Sequence, residues 1–177
     1  AAIGVVTNVI TTDHSTGVIV TGTSTDKSSL TGTSVSVDAD AKEGISSLLI
    51  AASGAQYAAV SASANVNRQL SDVSAAVDQA EVLGSFAQNA NYLGKITTSA
   101  ITAAGSQYAA VPISVVINYA DNAVSSSLVH SILRAEGQVA SVGANRISEF
   151  SSLNVTASGA MYGAAAGLVN VNTIEGA

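Results

Sequence analysis

Only two histidines, His14 and His130, six basic and twelve acidic side chains are on hand for acid–base or metal chemistry in a chain of 177 residues. The histidines are far apart, have no ligand-spaced companion and lie outside any H-E-x-x-H pattern, so both read as surface residues. Asp38 and Asp40 alternate with Ala39 and Ala41. They could touch Ca²⁺, but an EF-hand or a Gly-rich Ca²⁺-binding nonapeptide would bring more acidic and Gly positions. A solvated acidic face is the simpler reading. Lys27, Lys42, Lys95, Arg68, Arg134 and Arg146 occur singly, whereas polysaccharide-cleaving sites need clustered carboxylates and bases in one groove. No GxGxxG or GxxxxGK[ST] loop is present to cradle a phosphate, and the absence of Cys removes disulfides and thiolate metal sites. We expect no enzyme, and no catalytic, cofactor or metal site.

The residues that do recur are of another kind. Ser53-Gly54-Ala55-Gln56-Tyr57-Ala58-Ala59-Val60 returns as Ala104-Gly105-Ser106-Gln107-Tyr108-Ala109-Ala110-Val111 and again as Ser158-Gly159-Ala160-Met161-Tyr162-Gly163-Ala164-Ala165. Each copy runs into an Asn-bearing alternation, which places Asn67, Asn118 and Asn172 at one position of a unit of about 51–54 residues. Ser46-Ser47-Leu48 and Ser151-Ser152-Leu153 extend the match. A fixed period of this length is the mark of a solenoid or array. Gly54, Gly105 and Gly159 are expected where the backbone turns with positive φ or approaches a neighbouring coil. Tyr57, Tyr108 and Tyr162 are expected along one side, either as half-buried residues or as a strip that stacks on sugar rings. The Asn residues suit amide ladders or tight turns.

Composition supports small side chains in closely stacked layers. Hydrophobic residues make up 47%, aromatic residues only 4% and charged residues 10%, against about 25% charged in a typical soluble domain. The formal charge of −6 makes a nucleic-acid partner unfavourable. No 18-residue apolar run is present to span a membrane as a helix, and no signal peptide is recognisable.

Period-two alternation dominates along the chain, so the fold class expected is all-β, a parallel β-helix of three imperfect units at about residues 13–66, 67–117 and 118–172. Asn8-Val9 matches Asn170-Val171, so the chain reads as beginning and ending within a repeat. It is then either a window on a longer array or a subunit whose ends stack on a neighbour. Val35, Val37, Ala39 and Ala41 share one face, and Lys42-Glu43-Gly44 reads as a turn. Residues 70–83 and 122–135 also carry helix-compatible spacing, yet the Thr- and Gly-rich Asp13–Asp26 segment at the same place in the unit favours strands throughout. Ala135-Glu136-Gly137-Gln138-Val139 reads as strand–turn–strand. Pro112 predicts a corner near 112, and by alignment near 61 and 166. A unit this long divides into three coils of 17–18 residues or two of about 26, giving a rod roughly 35–50 Å long at about 4.8 Å per coil. The Thr21/Thr23 and Thr31/Thr33 pairs suggest an ice-binding face, but they do not recur once per coil. Asn154-Val155-Thr156 fits the glycosylation pattern by chance.

Leu153-Asn154-Val155-Thr156-Ala157-Ser158-Gly159, Gly167-Leu168-Val169-Asn170-Val171-Asn172, Asp121-Asn122-Ala123-Val124 and Ala135-Glu136-Gly137-Gln138-Val139 together resemble the repetitive shafts of filamentous-haemagglutinin-like and autotransporter-type bacterial adhesins. The resemblance covers most of the chain as a style of sequence. It implies a right-handed parallel β-helix exported to the cell surface by type V secretion, and it brings no catalytic residues. The function expected is structural: a shaft segment or self-stacking subunit of an extracellular adhesin or filament. Its partners would be copies of itself or neighbouring repeats end to end, with a host-surface or matrix glycan as a further ligand. A carbohydrate-binding or ice-binding module is the alternative, and a polysaccharide-degrading enzyme is less favoured.

Overall fold

Strands with small, alternating side chains can run long when nothing forces a bend, and here they do. The structure, a computed structural model, describes residues 1–134 and 139–176. Nine strands follow in order: β1 (Ala2–Thr21), β2 (Ser28–Ala55), β3 (Ala58–Asp78), β4 (Ala80–Ser106), β5 (Ala109–Val129), β6 (Ile132–Arg134), β7 (Ala140–Gly159), β8 (Gly163–Ala164) and β9 (Gly167–Glu175). No helix occurs among the described residues, so the helix-compatible spacing at 70–83 and 122–134 is strand. Residues 135–138 of the expected strand–turn–strand lie outside the described residues.

Two sheets form, and every pairing in them is parallel. One has the order β1-β3-β5 with β8 and then β9 on β5, and the other has β2-β4 with β6 and then β7 on β4. The chain passes from one sheet to the other and back before it meets itself, an arrangement compatible with a β-solenoid. Register identifies the repeat: Ala58 lies beside Ala109, and Gly54 beside Gly105. The 51-residue period is therefore one complete coil, not two or three. Asn8, Asn65, Val116 and Asn170 share one column, which accounts for the match between the first and last segments. The rod expected from short coils is replaced by a broad, low stack. Strands of 21 to 28 residues reach up to roughly 70–90 Å when extended, while four layers rise only about 15–20 Å.

Within a coil the two strands face each other through side chains and run in opposite directions. Val77 clusters with Val82, Val73 with Ala90 and Ala59 with Ala104. The sequence positions climb on one strand as they fall on the other. Val37, Ala39, Val77, Val82 and Phe86 lie in the inter-sheet space, as the alternation of β2 requires.

Corners sit at Gln56-Tyr57, Gln107-Tyr108 and residues 160–162 at one end, and at residues 22–27, Gln79 and His130-Ser131 at the other. Gln79 and His130 turn the chain with φ of 53° and 48°, so the left-handed residue there is not a glycine. Lys42-Glu43-Gly44 is no turn, because it continues straight through β2.

Pro112 is also inside a strand, the fourth residue of β5 and inward-facing. The hydrogen bonds explain how the ladder accepts it. Ala109 N–H donates back to Tyr57, and Ala165 N–H donates to Ala110 C=O. Even residues of β5 thus address the last layer, where the missing N–H of Pro112 would have met residue 165. The last layer is interrupted there, between Ala164 of β8 and Gly167 of β9. Proline has opened a gap in a neighbour without bending its own strand.

The signature glycines also differ from expectation. Gly54, Gly105 and Gly159 do not have positive φ, and a Cβ on Gly105 or Gly159 would meet nothing within 4 Å. A residue that does need glycine is Gly84, with φ of 116° and a Cβ position 1.8 Å from the Gly32 carbonyl oxygen. It faces a bulge between Thr31 and Ser34, where β2 carries one more residue than β4. Gly84→Ala should therefore lower unfolding free energy by about 2–4 kcal/mol. Gly105→Ala should stay within about 0.5 kcal/mol of the parent. Urea unfolding of the two variants checks the contrast.

Candidate functional site: stacked ladders and open edges

A residue repeated at one place in each coil ends up stacked on its counterparts, and three such columns stand out. The first is buried. Asn67 Nδ2 donates to Asn118 Oδ1 at 2.9 Å, and Asn118 Nδ2 to Asn172 Oδ1 at 2.8 Å. Thr98, from the facing sheet, accepts from Asn67 and donates to Asn118, each at 2.8 Å. The amide ladder expected for Asn67, Asn118 and Asn172 is present, and the tight-turn alternative falls. A parallel column joins Asn8 to Asn65 at 3.2 Å, with Asn65 bonded onward to Ser47 at 2.9 Å. Ser63, Ser114 and Thr102 form another short network. The interior is thus not apolar throughout: along residues 61–71 the inward residues of β3 are polar, and Ser63, Asn65, Asn67 and Ser71 are hydrogen-bonded there.

The second column is the aromatic corner. Tyr57 and Tyr108 stack with ring centroids 5.4 Å apart, and Tyr108 and Tyr162 at 5.1 Å, both with 14° between planes. The tyrosines do lie on one side, one coil apart, and they are more exposed than the half-buried reading expected, Tyr108 least at 47%. Both faces of Tyr108 are covered by its neighbours. The third column is outward and mixed: Asn89 donates to Asp38 at 2.8 Å, and Asn91 to Asp40 at 2.7 Å. Hydrogen bonds from Ser36 and Asn89 hold the Asp38 carboxyl below its ordinary value. Asp38 and Asp40 face solvent, as the acidic-face reading requires.

Sequence reasoning missed the polar cluster around Tyr92. This phenol is buried between the sheets, within 3.3 Å of Ser71 Oγ and 3.5 Å of Glu43 Oε2, and Ser71 donates to Glu43 at 2.7 Å. The room for its ring comes from Gly94, where a Cβ would lie 2.4 Å from the Tyr92 hydroxyl oxygen. Tyr92 and Gly94 two apart on an alternating strand was the available signal.

His14 and His130 are both exposed, His14 beside Thr16 and His130 paired with Asp78 at 3.1 Å. An open groove on the first sheet gathers Asp13, His14, Arg68, Asp72 and Asp121. Among the described residues no group of three or more His, Cys, Asp or Glu is placed to hold a metal ion. No helix among them is long and apolar enough to cross a membrane.

The open edges complete the site. β1 and β2 have a pairing partner on one side only, as do β7 and β9 at the opposite end. Gly22 N–H, continuing β1, donates to Asp78 C=O of β3. Even residues of β1 therefore point into the sheet, and odd ones such as Thr7 direct their N–H and C=O outward. The chain matches no protein-family model, no curated protein and no solved structure.

Asn118→Ala leaves the Thr98 hydroxyl without its acceptor and Asn172 without its donor. It should cost about 2–4 kcal/mol in chemical unfolding, against under about 0.5 kcal/mol for exposed Asn170→Ala. A second expectation concerns alkaline pH. Burial, with the Glu43 carboxylate adding to it, pushes the Tyr92 phenol above 10.0. The neutral phenol is the form the fold favours, so its contribution is complete below pH 10 and is lost as pH rises through the folded value. Parent protein should lose stability above about pH 10 more steeply than Tyr92→Phe, as followed by denaturation midpoints.

Proposed function

We propose that this chain is a structural element, a shaft segment or self-stacking subunit of an extracellular bacterial adhesin or filament. One observation carries the reading: two sheets of in-register parallel strands leave a long unpaired edge at each end of the stack. Such edges template further pairing unless they are blunted by charge, proline or a cap. β1 is long, and Asp13 is its only charged residue apart from any charge on His14. The buried amide ladder supports the same reading, since an Asn column gains a partner with each added layer. The coil is right-handed, the hand taken by about 98% of parallel strand–crossover–strand connections, and it comprises three imperfect repeats. Export to the cell surface follows from the adhesin resemblance, and it agrees with the lack of cysteine.

The tyrosine column supports this over glycan binding. A sugar ring stacks on a free aromatic face, and the inner faces of the three rings cover one another. What the column supplies instead is a rung-by-rung contact at the corner, of the order of 0.5–1.5 kcal/mol per pair.

Electron microscopy of the purified chain over a range of concentrations should show ribbons that lengthen as concentration rises. Thr7→Pro removes an N–H that faces the open edge and no bond inside the sheet, a position where proline is tolerated. It should shorten the ribbons strongly while leaving the far-ultraviolet circular dichroism unchanged. Discrete particles at every concentration, in parent and variant alike, would defeat the self-stacking version.

A further inference from the structure

Polarity is inverted along the half of β3 next to the tyrosine corner. The inward residues of β3 there are Ser61, Ser63, Asn65, Asn67, Gln69 and Ser71, all buried. From Val60 to Val66 the outward residues between them and their neighbours in register are apolar apart from Thr7. Ile3, Val60 and Val111 form one column, and Val5, Ala62, Ile113 and Gly167 the next. Val9, Val66, Ile117 and Val171 form the fourth, with Thr7 the one polar member of the column between. Ile3 is 76% exposed, Val9 70% and Ile117 36%. Strands with a solvated outer face put polar residues outward, so this face is built to be covered.

We propose that a second copy of this chain covers it, sheet against sheet, in a two-fold dimer whose axis runs along the stacking direction. Four columns about 6.7 Å apart and four layers about 4.8 Å apart span roughly 500 Å² on each copy. Two such faces bury about 1,000 Å² in total, which is what a specific interface needs. A contiguous apolar patch of this size is at the upper end of what soluble monomers expose. The patch is flat and composed of Val, Ile, Ala and Gly, so it is complementary to itself, as a two-fold contact requires. A rotation about the stacking axis keeps the layers of both copies level, and β-branched side chains then interdigitate across a sheet spacing of about 10 Å. Charge argues against a membrane as the occupant. The flanking columns bring one cation, Arg68, and the carboxylates of Asp13, Asp72, Asp121 and Glu175, which would be repelled by anionic headgroups. In the dimer these charges lie outside the contact and stay solvated.

This contact is lateral and finite, whereas the stacking proposed above runs along the other axis, so each can fail alone. The test is analytical ultracentrifugation of the full chain, carried out in a Ser15→Pro background if ribbons obscure the mass. At Ser15 the N–H also faces the open edge, and the side chain lies outside the patch. The expected species is a dimer of 17.4 kDa chains. Ile117→Lys places a charge in an inner layer of the fourth patch column and should raise the dimer dissociation constant at least 100-fold with unchanged circular dichroism. Val9→Lys, on the outermost layer where no folded-state packing is lost, should weaken it about tenfold. Ser125→Lys, exposed on the same sheet beyond the patch, should leave the dimer intact. Three results would overturn the proposal: monomers at all concentrations, dimers that persist in both Lys variants, or a monomer that cosediments with phosphatidylcholine vesicles unless Ile117 is replaced.

Discussion

In-register parallel pairing sets each residue beside the one a coil away, and the rest of the structure follows from that obligation. A column of apolar side chains gains contact at every layer, and a column of amides gains a hydrogen bond. A column of like charges would repel at about 4.8 Å. This explains why so few charged residues are used and how they are handled. Asp38 and Asp40 sit under Asn89 and Asn91 rather than under other carboxylates. Asp13 and Asp121 are separated by Leu70. Where Asp121 and Glu175 do become neighbours, the Tyr119 hydroxyl donates to Glu175 at 2.9 Å.

The same obligation permits a polar interior. A lone buried Asn is costly, because one neighbour rarely satisfies both ends of the amide. Stacked Asn residues bond head to tail, and Thr98 links the column across the sheets. This leaves the Asn67 Oδ1, beside Ile10 at the end of the ladder, without a partner. The apolar interior is then confined to clusters that include Val77, Val82 and Phe86 at one corner and Ala59, Ala104 and Ala110 at the other. A seam of directional bonds between these clusters also holds the register, because a slip of one residue would turn every amide outward at once.

Much of this was legible from the residues. Tyr57, Tyr108 and Tyr162 lie along one side, Asn67, Asn118 and Asn172 form the ladder expected of them, and the alternation of Val35 to Ala41 sorted inner from outer faces. The coil length was not legible. Subdividing the unit assumed a corner every few residues, yet among the described residues the chain turns at the ends of the long strands, at residues 22–27, at the tyrosine signature, and at Gln79 and His130, which carry no turn motif. Pro112 and the signature glycines misled for one reason. Their residue types advertise local backbone needs, whereas Pro112 is accepted through the neighbour its missing N–H addresses and the signature glycines continue as extended strand. Gly84 and Gly94 lie outside the recurring signature and, like Gly22 and Gly176, which backbone atoms enclose, are glycines the packing requires. One answers a bulge in β2 and the other the ring of Tyr92, and both causes lie in partners that sequence spacing does not reveal.

Folding cost falls unequally on the layers. The first coil has to bring together segments about 50 residues apart before any ladder bond forms, a closure entropy that grows as the logarithm of the loop, and it does so with one edge still bare. Each later strand docks on an edge already in place, so its backbone bonds, its amide and its tyrosine all find partners in one step. Stability in such a stack is a sum over neighbouring layers, and the initiating layer contributes least for what it orders. A folded edge is therefore a better template than an unfolded chain, and the geometry that makes the fold slow to begin is the geometry that lets it continue onto a neighbour.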